Sequence, residues 1–155
     1  MLRVVLDTNV FVSSLLVKVG VPAQVLAAWR AGRFTLVTSN AIIAETRSAL
    51  GYSRIRRKYA VTDEEIELLV RLIEQDALLV PGRAGVSDAI PADRADEKIL
   101  ACALDGEANL IVSGDPHLLD LGEYRNIPIR NVRQFLTRLE AEEGDWVRSE
   151  SHELP

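Results

Sequence analysis

Short apolar runs alternate with helical patterns along most of this sequence, and that alternation limits the possible folds more than any other feature. Five of the runs have the composition of strands buried in a sheet; they are residues 2–6, 33–39, 76–80, 108–115 and 127–131. Strands separated by helices are typical of a parallel sheet. We therefore expect an α/β fold, a single-domain three-layer α/β/α sandwich around a central parallel sheet of about five strands.

Helical patterns fill the intervals between these runs. Four segments have apolar residues at helical spacing with turn or cap residues at their ends; they are residues 22–32, 39–51, 61–76 and 94–107. The third segment begins with Thr62 followed by Glu65, which is the pattern of a capping box. These helices would cover the two faces of the sheet.

The C-terminal segment differs in composition from the rest of the chain. After Leu139, acidic residues and Gly144 predict the end of a helix and then a loose segment. We therefore expect one domain over residues 1–140 and a C-terminal tail over residues 141–155 that is flexible or binds a partner.

The overall composition is that of a globular domain with a substantial core, since 48% of the 155 residues are hydrophobic and 26% are charged. The apolar stretch over residues 10–29 is interrupted by Lys18 and Pro22, so we expect a cytoplasmic protein with no membrane contact. The net charge of −5 argues against bulk binding to nucleic acid but allows a local basic patch. Cys102 is the single cysteine, and its spacing from Ile99 predicts a buried, reduced thiol.

Acidic residues follow two of the predicted strands, where a parallel sheet collects its ligands. Asp7 ends the first strand and Asp115 ends the fourth. Asp96 falls in the first turn of the helix before that fourth strand, where the helix dipole favours an anion. Glu45 lies at the margin of the apolar face of the helix over residues 39–51. Taken singly, Glu45 and Asp96 are ordinary helix residues, but Asp7 needs neutralisation if it is buried.

Convergence of these four acids would require a cation. Carboxylates about 5 Å apart repel by roughly 3 kcal/mol per pair at an effective dielectric constant of about 20. Oxygen ligands select a hard ion, so Mg²⁺ or Mn²⁺ held by Asp7, Asp96 and Asp115 is the expected cofactor. Such a site suits phosphodiester cleavage. The sequence has no Walker A loop, no dinucleotide-binding glycine fingerprint and no zinc-type Cys/His cluster.

Three stretches, in this order, closely resemble the PIN-domain family and, within it, the VapC-like toxins of prokaryotic toxin–antitoxin systems. They are VVLDTNVFVSSLL, AETRSAL and DRADEKILACALDGEANLIVSGDPHLL, and the resemblance runs from residue 2 to about residue 136. It implies a PIN-like, Rossmann-like fold and a metal-dependent endoribonuclease that cleaves single-stranded RNA. The catalytic acids would be Asp7, Glu45, Asp96 and Asp115.

The resemblance also implies supporting groups and partners. Thr8, Asn9 and Ser113 match polar positions of the family motifs and would support the acidic quartet. The expected partners are an RNA substrate, a protein antitoxin and a second copy of the chain. Glu97 and Asp93 lie beside the quartet in sequence; Glu97 departs from the family pattern, and Asp93 is more typical of a residue that begins a helix.

A basic run follows the helix that carries Glu45. The stretch YSRIRRKY places four cations, Arg54, Arg56, Arg57 and Lys58, between two tyrosines. Cations flanked by aromatic rings are typical of a surface that tracks an RNA backbone and stacks bases, but a solvated helix face has the same composition. His117 lies two residues after Asp115, and a histidine at such a turn is more often solvated than catalytic.

Two other function classes are compatible with the same acids. The first is a Mg²⁺-dependent phosphatase with Asp7 as nucleophile, although that mechanism ordinarily has a second acid two residues later, where this chain has Asn9. The second is a non-catalytic RNA-binding domain that keeps the PIN-like fold. An intact acidic quartet favours the nuclease.

Overall fold

The computed structural model describes residues 1–86 and 95–153, the side chains of residues 95 and 143–153 excepted. In chain order its elements are β1 (Arg3–Leu6), α1 (Thr8–Leu16), α2 (Val21–Arg30), β2 (Thr35–Thr38), α3 (Asn40–Leu50), α4 (Ser53–Tyr59), α5 (Asp63–Asp76), β3 (Leu78–Leu79), α6 (Ala95–Asp105), β4 (Leu110–Val112), α7 (Pro116–Leu121), β5 (Glu123–Tyr124), β6 (Ile127–Arg130) and α8 (Val132–Glu153). Strands and helices alternate as the sequence predicts.

One six-stranded sheet, with the order β3-β2-β1-β4-β6-β5, forms the centre of the fold. Every neighbouring pair is parallel except β5 and β6. Helices cover both faces, so the predicted α/β fold and its five parallel strands are confirmed. The sequence pattern does not predict β5, a two-residue strand that is joined to β6 by a tight turn. Arg125 and Asn126 have φ values of 47° and 70° there, as both central residues of a type I′ turn do.

The central strand β1 lies between β2 and β4. Val5 pairs with Val37 on one side and with Ile111 on the other, and all three side chains are fully buried. Because the strands run parallel, their carboxyl ends meet at one edge of the sheet. The residues that follow β1 and β4 are therefore brought together at that edge.

The helices agree with prediction in the middle of the chain and differ at its ends. The capping box at the start of α5 is present, with the Glu65 N–H donating to Thr62 Oγ1 (3.1 Å). The predicted helix end near Gly144 is wrong, because α8 continues to Glu153. One interior glycine costs a helix only about 1 kcal/mol relative to alanine, and the surrounding Glu, Arg and Ala residues favour the helix. Partner binding by residues 141–155 stays a prediction.

Long apolar helices are absent from the part of the chain that the structure describes. There, no single helix is long and apolar enough to cross a membrane; only α1 and α2 together have that length and apolar composition, and the angle between them is 102°.

Gly106, just after α6, allows that helix to lie close to the sheet. A Cβ atom at this position would lie 2.3 Å from Val37 Cγ1, and Val37 is fully buried in β2. We expect Gly106→Ala to lower the free energy of unfolding by about 1–3 kcal/mol, because the backbone must shift to relieve the overlap. Chemical denaturation measures this loss. Gly85→Ala is the control, since nothing lies within 4 Å of its Cβ, and equal losses in the two variants would contradict the account.

Candidate active site

Asp7 is the buried centre of the site. It follows β1, caps the N-terminus of α1, and is only 7% exposed. Three donors hold its carboxylate: the Thr8 N–H donates to Oδ1 (2.7 Å), while the Ser113 hydroxyl (2.6 Å) and the Asn9 side-chain amide (3.3 Å) donate to Oδ2. Asn9 is in turn fixed by the Gly114 N–H, which donates to its Oδ1 (3.2 Å). The carboxylate is thus fixed in position from three sides.

The charge on Asp7 is only partly compensated by these donors. Burial raises the pKa of Asp7, the hydrogen bonds from Ser113 and Thr8 lower it, and the nearby charges of Asp115 and Glu45 raise it again. The net direction is upward, so the protein disfavours an ionised Asp7 when nothing else neutralises it. A positive charge beside Asp7 would reverse that balance.

Asp115 approaches Asp7 from the end of β4. Its backbone N–H donates to Ser113 Oγ (2.9 Å), the same hydroxyl that donates to Asp7, so one serine ties the two acids together. Asp115 also caps α7, because its Oδ1 accepts the backbone N–H of His117 (2.9 Å). One oxygen of the Asp115 carboxylate is thereby committed to the helix.

Asp96 completes a group of three carboxylates. It lies in the first turn of α6 and is 4% exposed. One oxygen each from Asp7, Asp96 and Asp115 lies within 4.8 Å of the others. At that separation three negative charges would repel by roughly 3 kcal/mol per pair at an effective dielectric constant of about 20. Burial together with repulsion makes this an arrangement suited to a cation.

These residues line an open cleft of about 280 Å³ together with Thr8, Asn9, Val12, Glu45 and Ala49. The Thr8 hydroxyl is buried there and has no hydrogen-bond partner within the described residues. An all-oxygen donor set with a spare buried hydroxyl fits Mg²⁺ or Mn²⁺ and its bound waters. Nitrogen or sulfur ligands, which would favour zinc, do not line the described part of the cleft.

Glu45 lines the cleft but lies outside the group of three. It comes from α3, where Ile42, Thr46 and Leu50 are buried, and its own side chain is 34% exposed. Its Oε2 is 3.6 Å from Nζ of Lys98, two residues after Asp96 on α6. The fourth acid thus lies at the margin of the cleft and is paired with a lysine.

The sequence pattern of the PIN domain matches residues 3–117, nearly three quarters of the chain and every residue of the acidic cleft. The chain belongs to the PIN-domain family. No curated protein is similar to it in sequence.

Among solved structures, this PIN domain is similar to a chain of VapBC2 from Rickettsia felis, crystallised bound to a DNA fragment from their promoter. The TM-score is 0.58 with 14% sequence identity, and the match covers 84% of this chain and 98% of the other. At that identity the likeness supports the fold of the PIN domain and nothing finer.

The other residues singled out in the sequence lie in several places. Glu97 lines a different cleft from the acidic one, and Asp93 lies outside the described residues. Cys102 is fully buried, and burial raises the pKa of its thiol to about 12, so it is a core residue. His117 takes part in the helix cap only through its backbone N–H, which donates to Asp115 Oδ1. Sequence reasoning missed Lys98, which belongs to the PIN-domain motif stretch but pairs with Glu45 only through the packing of α3 near α6.

The basic run forms α4, none of whose residues is buried. Arg56 is engaged locally, since its Nη2 lies 2.6 Å from Asp63 Oδ1. Arg54, Arg57 and Lys58 line a surface groove, with Lys58 also stacked over the ring of Tyr59. Three of the four predicted cations therefore face a common surface.

Ser113→Ala tests whether the serine sets the geometry of the PIN-domain acids. Its hydroxyl joins Asp7 to the Asp115 backbone, so we expect its loss to weaken Mn²⁺ binding by about 10–100-fold. Isothermal titration with Mn²⁺ measures the affinity. Ser14→Ala is the matched control, because that buried hydroxyl donates only to the Phe11 carbonyl in α1. Equal affinities in wild type and Ser113→Ala would show that the hydroxyl is not needed to hold the site.

Proposed function

We propose that this PIN-domain protein is a Mg²⁺- or Mn²⁺-dependent endoribonuclease that cleaves single-stranded RNA, and the toxin of a VapC-like toxin–antitoxin pair. The observation that carries the proposal is the group of three carboxylates in an open cleft, Asp7 and Asp96 buried and Asp115 partly buried, with one oxygen of each within 4.8 Å of the others. Membership of the PIN-domain family supports a nuclease, and the resemblance of the motifs to toxin sequences supports the narrower assignment.

Asp7, Asp96 and Asp115 would hold the cation. When bound, the ion supplies Lewis-acid polarisation of the phosphodiester and lowers the pKa of a coordinated water. Ser113 and the Thr8 N–H keep the Asp7 carboxylate turned toward the cleft. The Thr8 hydroxyl lies in the same cleft and can donate to a water or a phosphate oxygen.

Glu45 would orient the attacking water and accept its proton. Its carboxylate lines the cleft outside the group of three, so the cation does not require it as a ligand. Oε2 pairs with Lys98, which leaves Oε1 to orient a water and to accept its proton. We therefore assign a catalytic role to all four acids: Asp7, Asp96 and Asp115 would hold the metal, and Glu45 would act on the water.

The phosphatase alternative fits the geometry less well. An aspartate nucleophile of this kind needs a second acid two residues later, which protonates the leaving group. The position two residues later, which would supply the general acid, is Asn9, and it holds Asp7 and the Gly114 N–H together. Asn9 therefore acts in support of Asp7.

The proposed setting is the cytoplasm, with a protein antitoxin and a second copy of the chain as partners. Support for the antitoxin comes from the similar fold of a chain in the VapBC2 complex. Exposed apolar side chains at Val19 and Leu68, 91% and 57% exposed, offer surface for such partners.

One set of incubations tests the proposed activity. Purified protein is mixed separately with single-stranded RNA, single-stranded DNA of the same sequence and a phosphate monoester, each with Mn²⁺, Mg²⁺ or excess chelator. We expect internal cleavage of the RNA that requires the metal and little release from the monoester. RNA cleavage in excess chelator, or turnover of the monoester alone, would contradict the proposal.

We further propose that α4 binds the RNA backbone through Arg54, Arg57 and Lys58. Replacing all three with glutamine should reduce the slope of log affinity against log salt concentration by about 2, since each lost phosphate contact is worth about 0.7 for single strands. Fluorescence anisotropy with labelled RNA at several salt concentrations measures the slope. The control replaces Arg30, Arg71 and Arg133, exposed arginines on other helices, and removes the same charge. If both triple variants have the same slope, α4 is a solvated face.

A further inference from the structure

Lys98 lies where the acidic cleft adjoins a second cleft of about 380 Å³. Its ammonium is 3.6 Å from Glu45, which lines the acidic cleft, while its side chain lines the second cleft with Gly82, Arg83, Glu97 and Ala101. The side chain of Lys98 is 46% exposed, so the ammonium is open to solvent at the boundary. A ligand that extends from one cleft to the other would pass this residue.

An anionic substrate needs a positive charge at the edge of the acidic cleft. The acidic cleft is lined by four carboxylates, Asp7, Glu45, Asp96 and Asp115, so one divalent cation would still leave two negative charges if all four are ionised. A phosphodiester entering that cleft is repelled unless another positive group lies at its edge. Lys98 supplies one positive charge at the margin nearest to Glu45.

The ion pair between Lys98 and Glu45 is weak enough for another anion to take the place of Glu45. At 3.6 Å between half-exposed groups, the ion pair is long and solvated, and pairs of this type contribute little to stability. A phosphate oxygen can replace or share the carboxylate as the partner of the ammonium, which is a flexible point charge. Glu45 meanwhile keeps the lysine aimed at the boundary between the two clefts.

We infer that Lys98 is a phosphate-binding residue of the nuclease, which contacts the RNA phosphodiester as the strand passes from the acidic cleft into the second cleft. The inference rests on the proposed function and adds to it a substrate-binding group and a path for the strand. The second cleft, with its small residues and Arg83, would accommodate a nucleotide next to the scissile phosphate.

Steady-state cleavage of a short single-stranded RNA by Lys98→Met tests this inference, with Lys98→Arg and Lys18→Met alongside. Lys18 is a matched control because it is also paired with a glutamate, Glu65, at 3.4 Å, and is 76% exposed. We expect Lys98→Met to raise KM about tenfold, as loss of a charge-assisted hydrogen bond does. The salt dependence of kcat/KM should fall by about 0.7 in slope. Lys98→Arg should retain most of the binding, and Lys18→Met should match wild type.

Different outcomes distinguish the phosphate contact of Lys98 from the proposed nuclease activity. Mn²⁺ affinity and melting temperature are measured for every variant, and both should be unchanged in Lys98→Met. A tenfold loss of Mn²⁺ affinity would show that Lys98 acts on the metal site through Glu45 and would overturn the phosphate contact. Wild-type cleavage with an unchanged KM in Lys98→Met would overturn this inference while leaving the nuclease proposal standing. If wild type cleaves no RNA in any metal, both fail.

Discussion

Asp115→Asn should lower the rate of metal-dependent RNA cleavage by at least about a hundredfold, since losses of that size already follow from disturbing the partners of metal ligands. The variant removes one charge from the group of three carboxylates but keeps the helix cap, because asparagine is as good an N-cap residue as aspartate. The Asp115 charge raises the pKa of Asp7, so its removal relieves repulsion in the metal-free protein. We therefore expect the metal-free variant to be at least as stable as wild type.

Asp120→Asn is the matched control for this experiment. Asp120 is an exposed acid on the same short helix, α7, and does not line the acidic cleft. It should cleave RNA at the wild-type rate. Cleavage rates under saturating Mn²⁺ and denaturation midpoints in chelator decide the result. A destabilised Asp115→Asn protein with wild-type cleavage would reduce Asp115 to a helix cap.

Asp96→Asn should remove most of the stabilisation that a bound metal gives to the folded protein. A ligand that binds only the folded state, present at a hundred times its dissociation constant, adds about 2.7 kcal/mol to the free energy of unfolding. The variant lacks one of the three carboxylates, so at the same Mn²⁺ concentration it should gain much less. Melting temperatures across a Mn²⁺ titration measure the difference.

The neighbouring acid provides a control for the helix itself. Glu97→Gln also removes a negative charge from the first turn of α6, where both acids interact favourably with the helix dipole. Glu97 lines the other cleft, so its variant should keep the full metal-dependent shift. Equal shifts for wild type and Asp96→Asn would assign Asp96 to helix stabilisation alone.

The meeting of Asp7 and Asp115 at one edge of the sheet was predictable, because it follows from local sequence patterns and one topological rule. Apolar runs indicate β1 and β4, and parallel strands place Asp7 and Asp115 at the same edge. Asp96 was harder to place, since a first-turn acid has an ordinary reason to be there; its position beside Asp7 depends on how α6 packs on the sheet. Its place in the first turn of the helix before β4 made it a candidate, and the family resemblance supported grouping it with Asp7 and Asp115.

The features that were missed depend on contacts between distant segments. The pairing of Lys98 with Glu45 joins α3 and α6, which are separated by more than forty residues, and no local pattern predicts it. Likewise, β5 has only two residues and exists because β6 pairs with it. In α8, Gly144 suggested a helix end, but a single glycine does not end a helix whose neighbouring residues favour it.

The most direct test of the central claim compares two Mn²⁺ titrations of the wild-type protein, one of the RNA cleavage rate and one of the melting temperature at matched ionic strength. If Asp7, Asp96 and Asp115 hold the ion that cleavage needs, both effects should vanish in excess chelator, and both should give the same metal dissociation constant after correction for temperature. A cleavage rate that persists in chelator, or a melting temperature that rises with Mn²⁺ while no RNA is cleaved at any concentration, would contradict the account.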